Sequence, residues 1–543
     1  MIQNPILPGF HPDPSIVRAG EDFYLVTSSF GWFPGLPLYH SRDLAHWRLA
    51  GHLLRTKRQA DLTGLAQCRG VWAPGLSHDA ASERFYLTYS VVRNRNDWLF
   101  DVDNYLMWTD DPLGQWSEPV YVNSSGFDPF LFVDDDGSAW MLNKDRDFRP
   151  DHINSRPIVI QRFDLDAGQL VGQPTVISRG ATKRRFVEGA HLCKRDGWYY
   201  LLTAEGGTGY GHCTAVARAR HILGPYQPSP YGPLLTSATE AFEGDESRPF
   251  LQPERYRPDA PLSKAGHGSL VDTPQGEWYL AHLCARPLMP GLRCTLGRET
   301  ALQKIVWTQD GWPQLDGGSP LPRLQVPSPA GVAPFPFPAA DPVLRFGYEP
   351  LDAELCALRN EITLDWTRVD EARGLLMLRG RESLTSCYQV SLLARRLTAF
   401  RARAEVKMYF SPERYHHMAG LCCYYDEKNH FCAYKTRDER LGAAVGVYGF
   451  TANRMEYMAC CAPVPQEGPV WLRAEIDGPA LRFFYSTDGE AFAPLGPELD
   501  MSALSDEAIP GGFTGSFVGM FAQDLYTRRQ WAGYEFFRYE PLS

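Results

Sequence analysis

At 543 residues the chain is too long for one ordinary domain and has room for two or three. Its formal net charge of −10, from 54 Lys and Arg against 64 Asp and Glu, excludes the basic footprint that a nucleic-acid partner requires. The 44% hydrophobic content is that of a globular protein, and no long apolar run points to a membrane.

The start, Met1-Ile2-Gln3-Asn4-Pro5, lacks a charged segment followed by an apolar core, so no export signal is expected there. The 12 cysteines are scattered without a C-x-x-C. They read as reduced core residues of a cytoplasmic protein. The first unusual stretch is His11-Pro12-Asp13-Pro14-Ser15. Two prolines fix the backbone around one carboxylate, which is either a capped turn or a side chain aimed at a purpose.

A repeat follows. Five aromatic-aliphatic segments recur along the first half, centred on Tyr24, Tyr86, Trp140, Tyr200 and Tyr279. The later three follow Asp136-Gly137, Asp196-Gly197 and Gln275-Gly276, which read as hairpin turns. Short strands and turns with no long helical pattern, repeated five times, predict an all-β five-bladed propeller over residues 1–320. Within it, Phe30-Gly31-Trp32-Phe33-Pro34-Gly35 is an aromatic loop that serves as a hydrophobic plug or a pocket wall. Asp134-Asp135-Asp136-Gly137 lacks the ligand spacing of a calcium loop and reads as a hairpin. The glycines from Gly206 to Gly211 match no nucleotide-binding pattern and let backbone approach a ligand or a neighbour closely.

Residues 321–342 are proline-rich and read as an extended connector over the propeller surface. Beyond it the marker disappears. Alternating segments at 388–393, 401–409 and 471–476, and a hairpin around Asp488-Gly489, predict a β-sandwich over 343–543.

Each propeller repeat also carries one unusual residue ahead of its marker. Asp13 lies 11 residues before Tyr24, Trp72 lies 14 before Tyr86, and Asp128, Glu188 and His267 each lie 12 before theirs. The first strand of a propeller blade lines the central axis, so these side chains converge. Three carboxylates with aromatics and an arginine nearby suit glycoside hydrolysis, which needs a protonated acid at the leaving oxygen and a carboxylate that activates water or attacks the sugar. No G-x-S-x-G elbow supports a serine nucleophile.

With Gly70-Val71-Trp72-Ala73-Pro74, Gly126-Phe127-Asp128, Glu188-Gly189, Gly266-His267-Gly268-Ser269, Leu296-Gly297-Arg298-Glu299-Thr300 and Gly512-Phe513-Thr514-Gly515, the His11–Ser15 stretch resembles glycoside hydrolase family 43, above all its two-domain β-xylosidases. The resemblance implies Asp13 as the general base, Glu188 as the general acid, and Asp128 as the carboxylate that orients the acid and raises its pKa. It implies Phe30, Trp72 and Phe513 as pocket walls and Arg298 as a binder of sugar hydroxyls. His267 matches a histidine linked in some relatives to bound calcium. That leaves either a structural metal near His267 or a hydrogen-bonded core histidine, with no cofactor needed for the chemistry. The family inverts configuration, so an Asp13–Glu188 carboxyl separation of roughly 6.5–9.5 Å is expected. The implied activity is exo-release of xylose from xylo-oligosaccharides, with an α-L-arabinofuranosidase as the alternative and a non-catalytic sugar-binding propeller as a distant third. Relatives are commonly dimers or tetramers, which implies a homo-oligomer. His11, Pro129, the segment 143–148 and the segment 240–262 depart from the family pattern, and they bear on the leaving-group side of the pocket.

Overall fold

The computed structural model describes residues 1–66, 68–96, 99–149, 152, 156–246, 248–347, 351–508 and 512–542. Five antiparallel sheets form the blades of a propeller. Their inner strands are Ser15–Ala19, Gly70–Asp79, Gly126–Val133, Glu188–Arg195 and Ser263–Asp272. Each pairs with the strand that carries the repeated marker. Tyr24 faces Val17, Tyr86 faces Ser77, Trp140 faces Phe132, Tyr200 faces Cys193 and Tyr279 faces Val271.

The marker has a packing reason. Five apolar clusters fill the wedges between successive blades, and each contains or contacts one marker aromatic. Tyr24 packs with Phe85 and Leu87 of the second blade, and Tyr86 with Leu131 and Met141 of the third. A blade is narrow at the axis and wide at the rim, so a bulky ring at a fixed height fills the gap that a smaller side chain would leave.

The ring is closed by the N-terminus. Asn4 Nδ2 donates to the carbonyls of Leu302 and Arg323 at 2.7 and 2.9 Å, while its Oδ1 accepts from Leu302 N at 2.8 Å. Ile2–Gln3 pairs with Gln325–Val326 of the proline-rich stretch. That stretch then crosses from blade five to blade one. Pro327 O accepts from Tyr279 Oη at 3.0 Å, Ala330 N donates to Glu277 at 2.7 Å, and Phe335 N donates to Asp43 at 2.7 Å.

The C-terminal domain is a β-sandwich. One sheet includes Arg401–Tyr409, Pro469–Asp477, Ala480–Ser486 and Trp531–Pro541. The other includes Ser391–Arg396, His417–Asp426, Asn429–Asp438 and Phe517–Asp524. The expected strand at 388–393 begins later, at Ser391, because Tyr388 sits in an exposed bend. Ala402, Ala404, Val406 and Met408 point alternately into the core. His417–Asp426 is buried along its whole length because its sheet is covered on both faces. Leu421 and Cys423 face the sandwich core, and Cys422 and Tyr424 face the propeller.

Three kinds of contact lock the domains together. The short strand Trp32–Phe33 pairs with Ala357–Leu358, and the Trp32 ring stacks on Phe517 with centroids 3.7 Å apart. The buried Arg396 donates from Nε to Phe10 O at 2.8 Å. Lys264 of blade five, fully buried, meets Glu507 at 2.6 Å and Asp506 at 3.4 Å. Removing the cation leaves two buried carboxylates without the charge that joins them, although Tyr425 still donates to Asp506 and Cys294 N to Glu507. Lys264→Met is therefore expected to cost about 3–5 kcal/mol, read as a lower Tm in thermal unfolding. An unchanged Tm would show that the triad does not hold the domains.

Candidate active site

A backbone device repeats at one end of the propeller channel. Counting back four residues from the partner of each marker gives Asp13, Ala73, Asp128, Gly189 and His267. All five have left-handed backbones, with φ of +56°, +33°, +56°, +59° and +49°. In blades two to five the strand pairing slips beside this point. Such a bulge breaks the strict alternation of side chains and re-aims those at the strand head. In blades one, three and five the left-handed residue carries the polar side chain itself. In blades two and four Ala73 and Gly189 take the unusual φ, and Trp72 and Glu188 stand one residue before. Gly189 has a second reason to be glycine, since a Cβ there would lie 3.0 Å from the His267 ring.

The five strand heads surround a cavity of about 330 Å³. Asp13, Trp72, Asp128, Glu188 and His267 all line it, as do Phe30, Arg298 and Phe513. The sequence-predicted site is thus brought together at one place.

Asp13 lies deep. Ser28 Oγ donates to its Oδ2 at 2.7 Å, and Ser28 Oγ in turn accepts from Ala73 N at 2.7 Å. The other oxygen faces Arg298 at 3.5 Å and His267 Nδ1 at 3.4 Å. Burial pushes His267 below its usual range, against the pull of Asp13 and Glu188, so the ring is neutral. Asp128 is buried and accepts from Gly189 N at 2.8 Å. Burial, then the charges of Glu188 and Asp13, drive its carboxyl well above the usual carboxylate range, opposed by the Gly189 N–H and Lys144. Glu188 is the most open of the three, with 22% of its side chain exposed, and Lys144 lies 3.7 Å away.

The residues around His267 do not form a calcium cage. Among the described residues no group of three or more His, Cys, Asp or Glu is placed to hold a metal, and the nearest carboxylate, Asp13, is already held by Ser28 and faces Arg298. Calcium needs six to eight oxygens. His267 faces Asp13 through Nδ1 at 3.4 Å, and the side chains around it are not a ready-made metal site.

The walls are aromatic. Trp72 meets Phe30, Phe127 and Phe513 edge-on at centroid distances of 5.8, 5.8 and 5.4 Å. Phe513 comes from the sandwich, so the second domain supplies part of the pocket. Arg298 donates to Phe513 O at 2.7 Å and to Thr208 Oγ1 at 2.9 Å. Its Nε is buried without a partner, as is Trp72 Nε1.

The family model for glycosyl hydrolases family 43 matches residues 2–313, and a model for a beta xylosidase C-terminal concanavalin A-like domain matches 345–540. The chain belongs to glycosyl hydrolase family 43. The relatives it resembles include a xylosidase/arabinosidase from Humicola insolens, 42% identical over 100% of this chain and 98% of that protein. A xylan 1,3-beta-xylosidase from Vibrio sp is 39% identical over 99% of both. The crystal structure of a xylan beta-1,4-xylosidase from Bacillus halodurans C-125 superposes with a TM-score of 0.93 at 42% identity, covering 99% of this chain and 100% of that one. As a family 43 member the protein is a glycosidase of the β-xylosidase/arabinosidase kind.

Several lining residues escape the five-fold pattern. Lys144 and Arg146 come from the second strand of blade three and the turn after it, and Phe250 comes from the loop after blade four. Both segments depart from the family pattern, and that departure was their one signal. Arg95 and Phe100 flank the tip of a blade-two hairpin and carried none. The departing His11 lies behind the site, bonded through Nε2 to Tyr39 Oη at 2.6 Å. The glycine-rich stretch makes the predicted close approach, since a Cβ on Gly209 would lie 2.2 Å from Phe250 O.

The state of Asp128 has a measurable consequence. Its native proton affinity exceeds the unfolded value of about 3.9, so the native state holds more protons and stability falls as pH rises from about 4. Asp128→Asn is expected to raise Tm at pH 7 while lowering kcat, and the Tm gain is expected to vanish below about pH 4. A gain of the same size at pH 3 would rule out the charge as its source.

Proposed function

We propose that this family 43 glycosidase releases D-xylose from the non-reducing end of β-1,4-xylo-oligosaccharides with inversion at the anomeric carbon. One observation carries the reading: Asp13 and Glu188 line the same cavity from non-adjacent blades, with different surroundings. Asp13, deep and held by Ser28, takes a proton from water as that water attacks the anomeric carbon. Glu188, at the more open side, gives its proton to the leaving oxygen as the glycosidic bond breaks. Asp128 shapes the field in which Glu188 acts. This division requires carboxyl groups far enough apart to admit water, roughly 6.5–9.5 Å. Arg298 and Trp72 line the cavity where the terminal sugar sits.

A cavity of about 330 Å³ is at the small end of ligand sites, which supports entry by a chain end only. Names of relatives split between xylosides and arabinosides, which keeps an arabinofuranosidase as the alternative. None of the 12 cysteines is in a disulfide, in keeping with a reducing compartment.

Proton NMR during xylobiose hydrolysis tests the stereochemistry. α-Xylose is expected first; β-xylose first would recast Asp13 as a nucleophile. Untouched xylobiose with arabinose released from an arabinofuranoside would move the function to the alternative. Glu188→Ala is expected to lower kcat/KM about 10²–10⁴-fold on xylobiose and far less on an aryl xyloside with a good leaving group. Equal losses on both would remove Glu188 from the acid role.

A further inference from the structure

The charges along the cavity do not balance evenly. Two of the three carboxylates have a cation, with Arg298 3.5 Å from Asp13 and Lys144 3.7 Å from Glu188, and Asp128 instead has a raised proton affinity. Further along, the buried Arg156 and Glu246 form a third pair at 3.7 Å. Arg95 breaks the series. It lines the cavity and is half-buried, yet among the described residues its side chain has no recorded hydrogen bond or ion pair, and Glu188 acts on it only at longer range. It is held by aromatic faces alone, with Cζ 5.8 Å from the Phe100 centroid, 6.0 Å from Phe250 and 5.2 Å from Phe513. Arg146 lies on the same Phe100 ring at 3.8 Å.

Two guanidinium groups share the Phe100 ring. The crowding is felt by the groups themselves. Burial, then the neighbouring Arg156 cation, push Arg146 down to about 10 despite the help of Glu246, and burial and then Arg69 lower Arg95 as well. Holding Arg95 here without a directly paired anion is unfavourable for the empty protein. Its planar fork, flanked by rings, suits two parallel hydrogen bonds to a carboxylate. Neutral sugar hydroxyls would use neither the charge nor the fork geometry fully. The group belongs to the leaving-group side: it stands near Glu188, whose charge it feels, while Arg298 and Asp13 close the deep end.

We propose that the leaving-group side of the cavity receives a carboxylate-bearing sugar unit, with Arg95 as its main contact and Arg146 beside it. The assignment rests on the glycosidase reading above and specifies which leaving groups that site prefers. The carboxylate can belong to a uronic acid attached to the leaving xylose or to an aldonic acid at an oxidised chain end.

The test compares kcat/KM on matched pairs. One pair is β-xylosyl-xylonate against β-xylosyl-xylitol. The other is xylobiose bearing glucuronic acid on its reducing unit against the methyl ester of the same compound. Charge-assisted hydrogen bonds predict at least about a tenfold advantage for the acid in one pair, and the pair that shows it identifies the source. Arg95→Met keeps a side chain between the rings and removes the charge, and is expected to bring the acid-to-neutral ratio close to one. Arg95→Lys, which keeps the charge without the fork, is expected to retain part of the ratio and guards against a misfolded Met variant. Equal rates within both pairs for the unaltered protein would overturn the proposal, as would an undiminished ratio in Arg95→Met. Failure of the underlying reading looks different: no xyloside, acid or neutral, would then be cleaved while an arabinofuranoside is, and the proposal would fall with it.

Discussion

Everything at the site depends on a left-handed residue near the head of each inner strand. That conformation is disfavoured for a residue with a Cβ, and Asp tolerates it better than most. Here it recurs five times around one axis, at Asp13, Ala73, Asp128, Gly189 and His267. A regular strand would send successive side chains to opposite faces and disperse these groups between blade interfaces. The kink turns them to the channel mouth instead. The interblade aromatics fix the height of every blade, and so fix the height at which the five kinks meet. The strain at these positions is sustained by packing well away from them, in the wedges where Tyr24, Tyr86, Tyr200 and Tyr279 lie.

The kink also creates an electrostatic problem. Three carboxylates held close together, with two of them deeply buried, cannot all be ionised cheaply. The protein answers in three ways. Asp13 is given a hydroxyl donor and an arginine, Glu188 is given a lysine and a share of solvent, and Asp128 keeps a high proton affinity. His267 stays neutral between them, so it adds a hydrogen-bonding group without adding charge. Similar residues acquire different characters through depth and neighbours alone, as sites that carry acid and base chemistry require.

The fold was legible because its period is a packing requirement. An aromatic wedge is needed once per blade, and it leaves a visible mark at Tyr24, Tyr86, Trp140, Tyr200 and Tyr279. The residues at the strand heads were legible for the same reason, although their spacing from the marker varied between 11 and 14. The variation comes from hairpin length and from Trp72 and Glu188 standing one place off the kink. The constant quantity is the register across the strand pair, which a linear sequence does not display. Arg95, Phe100 and Phe250 were hidden because they belong to hairpin ends and loops that obey no period. In sequence, Arg95 looks like any solvated charge. Only the meeting of three chain segments at the cavity rim gives it a role. The surroundings of His267 were hidden for a related reason: a histidine between glycines looks the same whether it faces a metal or an aspartate.

Phe513 and Phe517 lie on one short stretch of the sandwich, one forming a wall of the cavity and the other stacking on Trp32. Phe30 and Trp32 are the corresponding pair on the propeller. Docking and recognition are therefore written into the same few residues on each side. A chimera that exchanged the sandwich with that of a relative would inherit a foreign wall of the pocket along with the new domain. Substrate preference in such a protein is a shared inheritance of both halves, and recombination at the connector would alter it even with every carboxylate of the cavity untouched.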